Sequence, residues 1–508
     1  FDSTWAIDVS INSGYPYLAL RKLFDITGIE PIDTDGDGYR NISCYSHLHW
    51  VSQDASSWAW NFELDNNINA DTTYLLTGGL GFSPIGSDTT AFTGKFEGHG
   101  FAIDSLYINR PETNFIGLFG KTKGAEISNL GITNCRIIGN NYVGGLLGRN
   151  DTSTVSNSYS SGSASGYENV GGLVGWNGAY STVSNSNSSS SSTGHRNVGG
   201  LVGGNNQTSI VSNSYSSGSA SGYENVGGLV GWNGVYSTVS NSYSTGNVSS
   251  DGEYIGGLVG YNYYNSTVSN CYSAARISGN DVVGGLVGKN QSGTVANSFW
   301  DSQTCGIDTS AGGIGKTTAE MKTKLTFTST GWDFNLVWSI DPSMNNGYPY
   351  INDRGVSKFP GIEPIDTDGD GYRNISCYSH LHWISMNDSS WAWNFELDNN
   401  INADTTRMFS GDIGFNPIGN ESINFTGKFE GNGFAIDSLY INRPSKVRVG
   451  LFGWTSKAEI SNIGIINCRI IGNDYIGGLI GLNIHSMVSK CYSSGSLSGS
   501  DYIGGLIG

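Results

Sequence analysis

Apolar residues along this chain come in short alternating runs, broken every few positions by Gly, Asn and Ser. Runs of strand length punctuated in this way predict β-strands joined by tight turns. The pattern recurs about every 28 residues. GGLLG begins at Gly144, and GGLVG at Gly171, Gly199, Gly227, Gly256 and Gly284. GGLIG follows at Gly477 and Gly504, and a GLFG variant opens each series at Gly117 and Gly450. Between these lies a second strand-like signature, T-V-S-N-S-Y-S. No single repeat can bury a core by itself, so stability must come from stacking on neighbours. The predicted fold is all-β: a parallel β-helix with rungs of about 28 residues and short capping helices.

Alternation with period two turns Leu146, Leu173, Leu201, Leu229, Leu258 and Leu286 inward on successive rungs. Two Asn columns keep the same period. The first, Asn129, Asn157, Asn185, Asn213, Asn241, Asn270 and Asn297, with Asp104 one rung earlier, is read as a stacked ladder of buried amides. The second, Asn150, Asn177, Asn205, Asn233, Asn262 and Asn290, is read as Asn suited to left-handed turn positions. Asp104 to Asn297 should give eight rungs.

A longer repeat contains the short one. Gly28 to Trp50 recurs letter for letter as Gly361 to Trp383, a period of 333 residues. The chain then divides into 1–27, the tail of a preceding unit; 28–91, a cap with an acidic loop; and 92–300, the solenoid. It continues as 301–360, a C-terminal cap and junction; 361–424, a second cap; and 425–508, the start of a second solenoid. Ser43 to Trp58 and Thr317 to Lys324 have the look of short helices covering open β edges, which otherwise invite association.

With 74 Gly and only 14% charged residues the chain is unusual, yet 37% is hydrophobic and regularly spaced, unlike a flexible linker. A formal charge of −17 argues against nucleic acid, which selects basic faces, and against anionic membrane surfaces. No apolar run approaches the ~20 residues that span a bilayer, so no membrane insertion is expected in this segment. The chain starts inside a motif, and lack of a leader says nothing of the full-length protein.

The motif with chemical content is Asp33-Thr-Asp35-Gly-Asp37-Gly-Tyr39-Arg-Asn41, repeated as Asp366, Asp368, Asp370, Tyr372 and Asn374. Carboxylates at alternate positions around Gly turns suit calcium, with Tyr supplying a carbonyl and Asn a side chain or bridging water. Cys44 occupies the place of the bidentate Glu of an EF-hand, so a distant ligand would complete the shell; a polar turn without metal is the alternative. No organic cofactor is indicated. Cys44 and Cys135 recur as Cys377 and Cys468, so 44–135 with 377–468 is one candidate disulfide set, and 271–305 is another. Sequons stand at Asn41, Asn150, Asn187, Asn206, Asn247, Asn265, Asn290, Asn374, Asn387, Asn420 and Asn424. They matter only for an exported protein.

The GGLVG repeats, the lead-in from Phe92 to Asn109 and the trailer from Phe299 to Thr323 resemble the GLUG-motif family of bacterial and archaeal surface proteins. The resemblance implies an exported, cell-surface or adhesin-like parallel β-helix. Some members carry the repeat ahead of a metallopeptidase that cleaves immunoglobulin A. Here no His-Glu-x-x-His occurs, and the seven His offer no zinc set. Rung exteriors of Ser, Thr, Asn and Gly lack clustered acid–base groups, so an enzyme is not expected. The reading is a structural array whose partners are further copies of itself, covalent or head to tail. The rival is an adhesin binding glycans or host surfaces, with Trp176, Trp232 and Tyr261 stacking on sugar rings, although Arg149, Gly204 and Lys289 interrupt that column.

Overall fold

Each rung of the first solenoid is built from the same pieces. Thr154–Ser156 forms one face, Tyr159–Ser165 and Glu168–Gly171 a second, and Val174–Gly178 a third. The next rung repeats them as Thr182–Ser184, Asn187–Ser188 with Ser191–Thr193 and Arg196–Gly199, and Val202–Asn205. Equivalent strands pair in parallel, so every rung supplies the hydrogen-bonding edge for the next. The computed structural model describes residues 5–6, 17–18, 28–34, 36–75, 77–279, 281–342, 345–351, 363–366, 368–376, 378–403, 406 and 413–508. These fall into two units, Phe1–Trp338 and Ser339–Gly508.

The first face of the first unit is a sheet of ten strands. Eight run from Lys95–Glu97 to Thr294–Ala296, matching the eight rungs expected from spacing. Two more, Arg40–Ile42 and Phe62–Leu64, precede them. The solenoid thus begins inside the segment assigned to a cap, and the boundary at residue 92 is corrected. Phe62 and Phe96 are register partners, and with Phe92 and Phe119 they form an aromatic cluster at this end, ring centres 5.1 to 6.4 Å apart.

The core follows the predicted columns. Leu146, Leu173, Leu201, Leu229, Leu258 and Leu286 are fully buried, as are Val155, Val183, Val211, Val239 and Val268 on the first face. Rung lengths of 28 and 29 residues coexist because the extra residue is absorbed at a register shift between Gly222 and Glu224. Another irregularity places Gly162, at φ 121°, against Cys135, where an added Cβ would come within 2.2 Å of the Cys135 carbonyl oxygen. Only glycine fits there.

The Asn columns are the reverse of the expectation. Asn129, Asn157, Asn185, Asn213, Asn241, Asn270 and Asn297 lie at φ 47° to 54°, in the left-handed region, and turn the corner between two faces. Their backbone N–H groups tie the rungs, Asn157 N–H donating to the Ser184 carbonyl and Asn185 N–H to that of Ser212, and at Asn129 the amide also donates to Glu97 at 2.8 Å. The ladder belongs to the second column. Asn150, Asn177, Asn205, Asn233 and Asn262 are fully buried. Each Nδ2 donates to the Oδ1 of the next, 2.8 to 2.9 Å away, ending at Asn290. A buried amide without a partner would be costly, and stacking removes that cost rung by rung. Asn169, Asn197 and Asn225 form a further, unanticipated ladder at 2.8 Å. Serines do the same: Ser158, Ser186 and Ser214 N–H donate to the Oγ of Ser186, Ser214 and Ser242.

The expected helices are present in shorter form. Tyr45–Gln53 buries Leu48 and Val51. The second splits into Thr318–Met321, held by a Thr317/Glu320 capping box, and Lys324–Thr328. Its Phe327 joins Phe299, Trp332 and Trp338 in a plug, with Trp332 and Trp338 centred 4.4 Å apart. Trp5–Ala6 pairs antiparallel with Tyr17–Leu18.

The second unit repeats the plan. Arg373–Ile375, Phe395–Leu397, Lys428–Glu430, Glu459–Ser461 and Met487–Ser489 form a parallel sheet. Tyr378–Met386 takes the place of the first helix.

Candidate functional site

The Asp/Gly turns precede the strands that open the two parallel stacks, Arg40–Ile42 and Arg373–Ile375. Asp33 accepts the N–H of Gly36 and of Gly38 at 2.6 and 3.0 Å, and Asp37 accepts that of Tyr39 at 2.8 Å. Asp35 lies outside the described residues. In the second copy Asp366 accepts from Gly369 and Gly371, Asp368 from Asp370, and Asp370 from Tyr372. The Gly369 N–H is the largest influence and lowers the Asp366 pKa; desolvation opposes it, and the N–H groups of Gly371, Asp370 and Asp368 add to the lowering. One oxygen from each of Asp366, Asp368 and Asp370 lies within 4.8 Å of the others, and all three residues are exposed. Three convergent carboxylates are the donor type a hard dication takes.

Asn41 and Asn374 do not join this set. Asn41 Oδ1 accepts from the Thr34 N–H and hydroxyl, while its Nδ2 donates to Glu63 and Asp65 at 2.7 and 2.9 Å. Asn374 donates in the same way to Glu396 and Asp398. Both are buried. They anchor the turn to the first rungs, a task the loop-position count could not foresee. Tyr39 and Tyr372 contribute backbone donors to the turn.

Among the described residues the candidate cysteine pairings are not formed. Cys44, Cys135, Cys271, Cys305, Cys468 and Cys491 are free, and Cys377 lies outside the described residues. Cys271 sits in the serine column: its N–H donates to Ser298 Oγ and its thiol to the Ser269 carbonyl. Cys305 points at the Gly285 carbonyl. Burial pushes the thiols of Cys135, Cys271 and Cys305 up to about 12. They act as small core residues. Burial also removes four sequons from consideration in the folded chain, since Asn41, Asn150, Asn206 and Asn374 are enclosed. Asn247, Asn265 and Asn420 are exposed, and Asn187, Asn290, Asn387 and Asn424 half-buried.

On the third face the aromatic column proves continuous. Arg149, Trp176, Gly204, Trp232, Tyr261 and Lys289 are successive register partners. A Cβ on Gly178 would fall 2.3 Å from Trp176 Nε1, and one on Gly204 would fall 2.6 Å from Cε3. The two edges of one indole therefore rest on two glycines of adjacent strands. The ring lies over the sheet at these two positions and is half-buried. Gly204 is a seat for Trp176 and not an interruption, and it brings Trp176 and Trp232 to 5.6 Å between ring centres. Tyr263 continues from Trp232 at 6.4 Å, and Tyr261 lies 5.5 Å from Tyr263. Lys289 lies 4.1 Å above Tyr254 and 5.1 Å above Tyr261. At the other end Tyr142 meets Trp176 at 6.0 Å and lies beneath Arg149. Tyr142, Tyr254 and Tyr263 were not foreseen. Tyr142 and Tyr254 occupy the rung position held elsewhere by Asn169 and Asn225, and that substitution was the available signal.

These features define a parallel β-solenoid of tandem repeats. Segments 139–165, 166–193, 222–249 and 251–278 match the GLUG motif. The chain thus carries tandem GLUG motifs, and the resemblance drawn from its repeats holds. It is 31% identical over 136 residues to Halomucin of Haloquadratum walsbyi (strain DSM 16790 / HBSQ001), which covers 25% of this chain and 2% of that protein. It is 42% identical over 77 residues to a candidate Gly-rich membrane protein of Evansella cellulosilytica, covering 14% and 9% respectively. The chain therefore spans only a small part of either relative's length. The crystal structure of a candidate immunoglobulin A1 protease from Bacteroides ovatus aligns at a TM-score of 0.43 and 16% identity, over 62% of this chain and 92% of that one. Among the described residues no helix is long and apolar enough to cross a membrane.

Proposed function

We propose that this chain is a non-enzymatic structural repeat of an exported, cell-surface protein, arrayed in 333-residue units as a fibre, stalk or coat. The observation that carries the reading is the exact recurrence of Gly28 to Trp50 at Gly361 to Trp383. Each copy leads into the same elements: strand, nine-residue helix and paired strand. Identical units that each present stacked-strand edges suit linear addition, which does not close on itself. The likeness to Halomucin supports a surface setting. Calcium on the Asp/Gly turns would brace each unit's first rungs, and Asn247, Asn265 and Asn420 are the most accessible sequons for a glycan.

The covalent array and head-to-tail subunits differ in mass. Denatured, reduced protein taken from its source should far exceed 54.1 kDa and be removed by protease added to intact cells. A mass near that value means stacked subunits, and full protection from protease ends the surface assignment. An adhesin is the second reading, favoured by the continuous ring surface on the third face.

A further inference from the structure

The rings of the third face differ from ordinary packed aromatics in one respect. Trp176 lies across glycines on two strands and stays half-buried, so part of the indole is open to solvent. Trp232 follows at 5.6 Å, and Tyr261 is the register partner of Trp232 on the next rung. Strands stack about 4.8 Å apart, a step close to the length of one pyranose unit. A sugar presents C–H bonds from the flat side of its ring, which suits the electron-rich face of an aromatic. Rings that follow one another along the stack at 5.5 to 6.4 Å between centres, from Trp176 through Trp232 and Tyr263 to Tyr261, therefore suit consecutive sugars of one extended chain better than an isolated saccharide.

Charge narrows the ligand. In a chain of formal charge −17, the charged members of this column are cations, Arg149 at one end of the rings and Lys289 at the other. Arg149 is partly neutralised by Asp151 at 2.8 Å. Lys289 Nζ bonds the Tyr254 hydroxyl at 3.0 Å and lies over two tyrosine rings, a position from which its remaining donors can meet a carboxylate.

We propose that Arg149, Trp176, Trp232, Tyr261, Tyr263 and Lys289 form a binding platform for an extended, carboxylate-bearing polysaccharide that lies along the solenoid. The proposal deepens the adhesin reading. Its failure leaves the array reading to its own test, because mass and protease access do not depend on this face.

The test is calorimetric titration of the whole 508-residue chain with polygalacturonate, and with dextran as the neutral counterpart. Polygalacturonate should bind saturably and more tightly than dextran. Trp232→Ala should weaken it about tenfold, the scale of one lost ring contact, whereas Trp232→Phe should retain most of the affinity. Lys289→Gln should weaken polygalacturonate binding, flatten its salt dependence and leave dextran unchanged. Thermal melts establish that each variant is folded. If Trp232→Ala is not, Tyr261→Ala, whose ring is half-exposed, supplies the ring deletion. No binding of polygalacturonate, equal binding of dextran, or full affinity in folded ring deletions overturns the proposal.

Discussion

At the residue scale this solenoid is governed by how buried polar groups are satisfied. Asn205 is representative: it accepts from Asn177 and donates to Asn233, with further bonds to the Ser209 and Thr238 carbonyls. Replacing it by Ala would strip a partner from two enclosed amides. Asn205→Ala should cost about 1–3 kcal/mol, the usual price of orphaned buried groups, while Asn213→Gly, at a left-handed corner, should cost only tenths. Denaturant melts of the two variants decide the matter, and a larger loss for Asn213→Gly would contradict the ladder assignment. The same pair explains why sequence alone exchanged the two columns. Period-two counting from Val155 carries Asn157 inward, but φ 50° at Asn157 breaks the alternation. Nothing in composition distinguishes an Asn that makes a corner from one that fills it. Cys271 was obscure for a related reason, since a thiol in a serine column keeps the column's hydrogen bonds.

At the element scale, strands that share a signature were legible and strands that do not were hidden. Thr154–Ser156 and its successors repeat almost unchanged, so their stacking follows from spacing alone. Arg40–Ile42 and Phe62–Leu64 pair in the same sheet, but no T-V-S pattern marks them and a helix intervenes. The Asp/Gly turn was found because its carboxylate spacing is chemical, whereas the anchoring of Asn41 to Glu63 and Asp65 depends on a strand that the sequence did not reveal. The turns carry a direct expectation. A metal that binds only the folded turns stabilises by mass action, about 2.7 kcal/mol at a hundredfold excess over Kd. Calcium should raise the melting temperature, and Asp368→Asn should reduce the gain. Identical melts in calcium and in chelator would remove the metal from the account.

For the whole molecule the governing fact is repetition at two lengths. A rung of about 28 residues gains its stability from the rung beside it, and at a period of 333 residues the cap and first rungs begin again from Gly361. That hierarchy, more than any single site, makes a surface array the central claim. Electron microscopy of the protein isolated under reducing conditions from the surface of its source cells is the most direct test. The account predicts thin linear particles with one regular axial period, common to every particle. Compact particles of uniform size with no axial period would contradict it.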